Sequence, residues 1–301
     1  MPSRDEEYVL ARMSLEEHLK ELRYRVKISL ITVGVITLVL MVAPADLSFL
    51  ENPLVFYKPL ISVILEYIRA YTLPEEVELI GMRFLAPIEL YLFSSLILGF
   101  IISMPVIAYE AYKFIDPALY PHEKKLIYPF TLAFSALFTV GALFGLFLVI
   151  PFLLKASLLF YGIVGAAPLV YVTDFYSLVL YTTLLSGLAF TFPAVFVLLV
   201  RLGFISTSII EGKRPLFYFI IFLLTAIITP DGGPIADFIL FLPIVILMEV
   251  AVKIAKKYEK ERQIQKRSIF TKVIEPIKCP YCGQAIPGNS IFCPKCGKSI
   301  K

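Results

Sequence analysis

Tryptophan is absent from these 301 residues, histidine occurs twice and cysteine four times. Charge is scarce as well: Asp, Glu, Lys and Arg make up 17% of the chain, against about 25% in a soluble domain. That scarcity excludes a soluble protein with an ordinary hydrated surface. Without tryptophan, Tyr and Phe must supply the aromatic side chains at membrane interfaces. No G-x-x-x-x-G-K-[ST] stretch occurs, which excludes a P-loop nucleotide site. Neither His18 nor His122 accompanies a nucleophile motif, so no catalytic site is expected, and no nucleic-acid partner.

What is abundant is apolar. Hydrophobic residues make up 58% of the chain, and mean hydropathy is +0.82. Six runs are candidates to cross a bilayer core of about 30 Å: 26–43, 88–109, 126–153, 176–200, 215–229 and 235–252. Long recurrent runs favour helices over the short alternating strands of a barrel. The fifth run, "PLFYFIIFLLTAIIT", is short and needs flanking anchors or local thinning. Pro193 lies within the fourth run and Pro151 closes the third; such breaks are tolerated where neighbouring helices re-satisfy the backbone. "APA" at 43–45 resembles a cleavage site, but a mixed-charge leader and five later runs favour a retained first span.

The Lys and Arg distribution predicts orientation. With the N-terminus inside, the inner segments hold 24 of the 28 basic residues. The outer segments hold only Lys58, Arg69, Arg83 and Lys155. This is the asymmetry of the positive-inside rule. It predicts six spans with both ends cytoplasmic. The outer segment 44–86 carries "YKPLISVILEYIRAY", whose helical spacing predicts an amphipathic helix at the outer interface.

All four cysteines fall in "CPYCGQAIPGNSIFCPKCGK", as Cys279-x2-Cys282 and, ten residues on, Cys293-x2-Cys296. Two knuckles of this kind aim four thiolates at one centre, the pattern of a tetrahedral zinc site. Four protein ligands leave no open position, so the expected role is structural. Iron or redox use and a pair of disulfides are the alternatives; disulfides are rare in a cytoplasmic tail. A charged stretch, "AKKYEKERQIQKRSIFTKVIEP", joins the tail to the last run and suits a helix leaving an anionic membrane surface.

The carboxylates before the first run are harder to explain. Ser14 with Glu17 reads as a capping box that starts a helix near residue 14. Glu16 with Lys20 and Glu21 with Arg25 are favourable i, i+4 pairs, and a solvated, self-paired face accounts for them without a ligand. Glu89 and Glu110 stand near opposite ends of the second run and read as interfacial. Asp116-Pro117 predicts a turn, flanked by Phe114 and Leu119 as either an apolar shelf or a packed loop. Glu249, near the end of the sixth run, is expected to snorkel to the interface or to pair with Lys253 at i+4.

Five stretches match one family in order: "HLKELRYR" (18–25), "FIDPALYPHEKK" (114–125), "KRP" (213–215), "TPDGGP" (229–234) and "LPIVILMEV" (242–250). Over residues 14–255 the chain resembles TatC, the polytopic receptor subunit of the twin-arginine protein translocase. The resemblance implies an all-α membrane protein of six helices in a cupped arrangement. It implies recognition of the twin-arginine signal peptides of folded cargo, assembly with single-span TatA-type subunits in an oligomeric complex, and export driven by the proton motive force. It places signal-peptide binding at Glu21 and Glu123, with Phe114 as an apolar shelf beside them. Where the family often has an intramembrane Glu, this chain has Thr191, within "FTFP". Thr191 and Glu249 are the implied contacts with partner subunits, and Thr191 cannot carry a charge there. The tail resembles small zinc ribbons. The expected organisation is a cytoplasmic segment 1–25, a membrane domain 26–253, a charged linker 254–276 and a ribbon 277–301. A secondary transporter of a small solute is the alternative of a different class. It is disfavoured by the lack of an internal repeat and of mid-membrane charge.

Overall fold

The structure is a computed structural model that describes residues 15–45, 57–81, 83–115, 121–229, 233–274, 277–286 and 291–299. Ser14, Asp116, Pro117 and Leu119 fall outside the described residues. The chain divides into two compact units, one of residues 1–195 with 213–249 and one of 196–212 with 250–301.

The first unit is helical because its long apolar runs leave the backbone no polar partner except itself. In chain order, across both units, the helices begin with α1 (Leu15–Val42), the short α2 (Leu60–Thr72) and α3 (Ala86–Ile115). Next comes one continuous helical run of α4 (Pro121–Phe144), a π turn (Gly145–Val149) and α5 (Ile150–Val164). The helices α6 (Val172–Leu202) and, after the short α7 (Ser208–Glu211), α8 (Arg214–Ile228) follow. The last, α9, runs over Gly233–Ile274. Among the described residues, five helical stretches are long and apolar enough to cross a membrane: Glu16–Val42, Ala86–Ile115, Phe130–Val164, Val172–Leu202 and Ala236–Glu261. They coincide with five of the six runs read from the sequence. The remaining run is α8, 15 residues long, which at 1.5 Å per residue reaches only about 22 Å. The protein is therefore a multi-pass membrane protein.

Pro151 does not interrupt the third run. It sits in the first turn of α5, directly after the π turn, and helix continues to Val164. The widened turn accommodates a residue with no N–H to give. Gly165 then ends the run in the left-handed region at φ 72°, its N–H donating to Tyr161 O.

The predicted amphipathic helix is α2. Ile61, Leu65 and Ile68 form its buried face, packed with Leu90, Ile150, Phe175 and Val179. Each such side chain stabilises by about 1.5–3 kcal/mol relative to exposure in water. The Tyr176 hydroxyl donates to Leu65 O at 3.1 Å and ties α6 to this helix. Two short strands, β1 (Glu78–Ile80) and β2 (Leu169–Tyr171), pair in parallel beside it. These strands are a departure from a purely helical membrane part.

Deeper contacts depend on small residues, as helix packing in lipid requires. α1 packs extensively along α3. Ser186 Oγ on α6 donates to Gly141 O on α4 at 2.8 Å. Phe138, 1% exposed, fills the adjoining core with Met104 and Ala142.

Candidate functional site

The charged block before the first apolar run is helical from Leu15. Glu16 and Glu17 lie in its first turn, where the helix dipole favours acids. Glu16 pairs with Lys20 at 2.7 Å, and both are exposed. One turn later the chemistry changes. Arg25 donates from Nη2 to Glu21 Oε1 at 3.1 Å and from Nη1 to Glu110 Oε2 at 3.0 Å. The side chains of Arg25, Glu21 and Glu110 are 20%, 16% and 9% exposed. Glu21 is therefore half of the expected i, i+4 pair, but not on a solvated face. Glu110, near the end of α3 as its sequence position suggested, is buried against α1 and bonded to Arg25. Arg25 links the two helices by giving one Nη bond to each carboxylate.

The three groups carry one positive and two negative charges. Glu21 Oε2 and Arg25 Nε are buried with no hydrogen-bond partner among the described residues. Beside them lies a groove of about 650 Å³ between α1, α3 and α6. Arg25, Glu110 and Phe114 line it, and the rest of its wall is almost wholly apolar, with Leu22, Ile97 and Leu188. His18 stacks on Phe114, a residue of the groove wall, with ring centroids 4.4 Å apart.

Glu21 and Phe114 are thus brought to one region. Glu123 stands in the first turn of α4, and its side chain lies outside the described residues. Glu110 and His18 are the residues that sequence reasoning missed. The available signal was charge: a basic residue entering one apolar run and an acidic residue leaving the next.

Thr191 is 4% exposed, and its hydroxyl donates within its own helix to Leu188 O at 2.6 Å. Glu249 accepts a hydrogen bond from the Tyr218 hydroxyl and lies 3.7 Å from Arg214 Nη1. Its partners come from α8 rather than from Lys253 on its own helix.

In the second unit, two hairpin-like knuckles hold the cysteines. Strands β3 (Ile277–Lys278) and β4 (Ala285–Ile286) pair antiparallel around the first. Gly283 and Gly297 adopt φ of 70° and 67°, which lets each N–H turn back to the carbonyl of Cys279 or Cys293. The four Sγ atoms lie within 4.8 Å of one another. Cys279 and Cys296 are 3.8 Å apart, and Cys282 and Cys293 are 3.6 Å apart. A tetrahedron with metal–sulfur bonds of about 2.3 Å has edges of about 3.8 Å, whereas a disulfide needs about 2.0 Å. The spacing therefore fits a four-thiolate metal site. The backbone N–H of Cys296, with that of Lys295, draws the Cys293 thiol down to about 6. At Cys282 the Gln284 N–H pulls the same way, but desolvation and the crowded thiols outweigh it and push it up to about 11.

The same unit holds a carboxylate clamp. Glu259 on α9 accepts from Ser206 Oγ at 2.8 Å, Thr207 Oγ1 at 2.6 Å and Thr207 N at 3.2 Å. Arg201 lies over the Tyr258 ring at 4.2 Å.

Residues 17–243 match the family model for the Sec-independent protein translocase protein TatC, and residues 278–300 match a zinc-ribbon domain. The chain is 35% identical over 259 residues to the TatC of Aquifex aeolicus, covering 84% of this chain and all of that protein. It is 30% identical over 250 residues to the TatC of Methanocella arvoryzae, covering 81% of this chain and 94% of that one. A crystal structure of the twin arginine translocase receptor TatC superposes with a TM-score of 0.63 at 33% identity, over 80% of this chain and 99% of that one. The chain belongs to the TatC family of Sec-independent protein translocase proteins.

Proposed function

We propose that this chain is the receptor and core subunit of a twin-arginine translocase. It binds the twin-arginine signal peptides of folded cargo at the cytoplasmic face of the cell membrane. The observation that carries this reading is the Glu21 carboxylate, held with Arg25 and Glu110 at the edge of an apolar groove. A signal peptide offers complementary chemistry, with guanidinium groups for the acidic end and apolar side chains for the groove. Carboxylates grip guanidinium as a fork, which Lys cannot copy. Each charge-assisted bond contributes about 1.5–3 kcal/mol, enough for two to separate Arg-Arg from Lys-Lys. Glu123 and Phe114 complete the proposed site, the first on the strength of its motif and the second through its place on the groove wall.

The sixth span in this reading is α8, shortened and anchored at its start by Lys213 and Arg214. The Lys and Arg distribution supports cytoplasmic termini. TatA-type subunits are the proposed partners in an oligomeric complex, with contacts near Thr191 on α6 and Glu249 on α9. Cargo export would draw on the proton motive force, with no catalytic role for this chain. The tail is proposed to hold structural zinc through Cys279, Cys282, Cys293 and Cys296, supported by the thiol spacing.

The test is a titration of purified protein in detergent with labelled Arg-Arg and Lys-Lys signal peptides. The expected result is tight binding of Arg-Arg only, lost in Glu21→Ala and weakened in Glu123→Ala. Equal or absent binding of both peptides would overturn the receptor reading and favour solute transport.

A further inference from the structure

We propose that Arg25 is a resident stand-in for a signal-peptide arginine, and that Glu110 sets how readily the peptide arginine takes its place. The proposal rests on the receptor reading above and assigns two further specificity-determining residues to that site.

The argument starts with how the guanidinium is used. A fork grip places two parallel N–H bonds on one carboxylate. Arg25 instead divides its two Nη groups, giving one bond to Glu21 and one to Glu110. The Glu21 carboxylate is not fully served. Glu21 keeps Oε2 buried without a partner, and Arg25 keeps Nε the same way, among the described residues. Among the described side chains the cluster also carries a formal surplus of one negative charge, with Glu110 9% exposed. A surplus charge withdrawn from water is unfavourable until a cation meets it. A second guanidinium supplies both missing elements, the charge and the N–H donors for Glu21 Oε2. An ammonium supplies the charge without the fork.

The two carboxylates are not equivalent. Glu21 lies one helical turn from Arg25 on α1, in the charged block where a peptide arrives. Glu110 lies on α3, deeper and on the wall of the groove. When a peptide arginine engages Glu21, Arg25 withdraws onto Glu110 and remains paired. Glu110 is then the holding place that makes the exchange possible. It also sets the cluster charge: without it, Glu21 and Arg25 neutralise each other and nothing calls for a further cation.

The experiment titrates the Arg-Arg peptide against full-length wild type, Arg25→Gln, Glu110→Gln and the double variant. Arg25→Gln removes the resident competitor and should tighten binding on the order of tenfold, since a nearby like charge is lost. Glu110→Gln should weaken binding by a similar factor. The double variant leaves Glu21 alone with no competitor and should return to near the wild-type affinity. A merely structural role for the triad predicts the opposite for the double variant, which would then be the weakest binder. Weakened binding in Arg25→Gln, or unchanged affinity in both single variants while wild type binds Arg-Arg, overturns this proposal and leaves the receptor reading standing. Failure of wild type to bind Arg-Arg overturns the receptor reading first and this proposal with it.

Discussion

Removing the metal from the C-terminal ribbon should unfold it while the membrane part keeps its fold. The ribbon's buried cluster consists of Cys279 and Cys293, with Cys296 packed against them. Among the described side chains of the ribbon, Tyr281, Ile291 and Phe292 are 60%, 57% and 62% exposed and do not contribute. Among the described side chains this core of thiols offers little apolar burial, and strands β3 and β4 are two residues each. Structural zinc in small sites of this kind contributes about 10–16 kcal/mol at neutral pH, so the metal term dominates. The assay is limited trypsin digestion of full-length protein in detergent, before and after chelation, with released zinc measured by a colorimetric chelator. Cleavage at Lys295 and Lys298 should be slow in the loaded protein and fast after chelation. Cys279→Ser should purify with little zinc and be cut like the chelated wild type. A ribbon that stays resistant after its metal is gone, or a Cys279→Ser protein that keeps full zinc, would refute the reasoning.

Two other outcomes are expected, one in each unit. A Cβ at Gly141 would stand 2.6 Å from Phe190 Cβ and 2.8 Å from Ser186 O, whereas one at Gly34 meets nothing within 4 Å. Gly141→Ala should therefore lower thermal stability in detergent by about 1–3 kcal/mol, and Gly34→Ala should leave it unchanged or raise it through helix propensity. Equal melting temperatures for the two variants would show that the α4–α6 approach is not tight. In the second unit, Glu259→Gln weakens three hydrogen bonds to Ser206 and Thr207, bonds to a charged group being worth about 1.5–3 kcal/mol each. Amide exchange at Thr207 should accelerate, and unchanged protection would mean that the loop is held by other contacts.

Much of the membrane part is legible because it rests on composition alone. A run of apolar residues needs no partner to be recognised, and five of the six runs coincide with long helices. The α2 face is legible for a related reason: Ile61, Leu65 and Ile68 recur at helical spacing, and the structure buries all three. The four-thiolate cluster follows from the short spacings within each Cys pair, which fix local turns that bring Sγ atoms together. What the sequence conceals depends on one helix meeting another. Pro151 reads as a break, yet the π turn before it lets the helix continue. Glu249 has a basic residue one turn away, yet Tyr218 and Arg214 of α8 are nearer.

The charged triad shows why that distinction matters for function. Its local half, Glu21 with Arg25, is visible as an i, i+4 pair and reads as neutral and self-sufficient. Its distant half, Glu110, lies 85 residues from Arg25, and no periodicity or spacing rule connects them. Only the packing of α1 along α3 does so. Adding Glu110 reverses the electrostatic meaning of the pair. A neutral pair at the membrane edge asks for nothing more, whereas two carboxylates sharing one guanidinium leave, among the described residues, a negative charge and an acceptor without a partner. The residue that sequence position assigns to the interface is therefore the one that gives the site its demand for a cation.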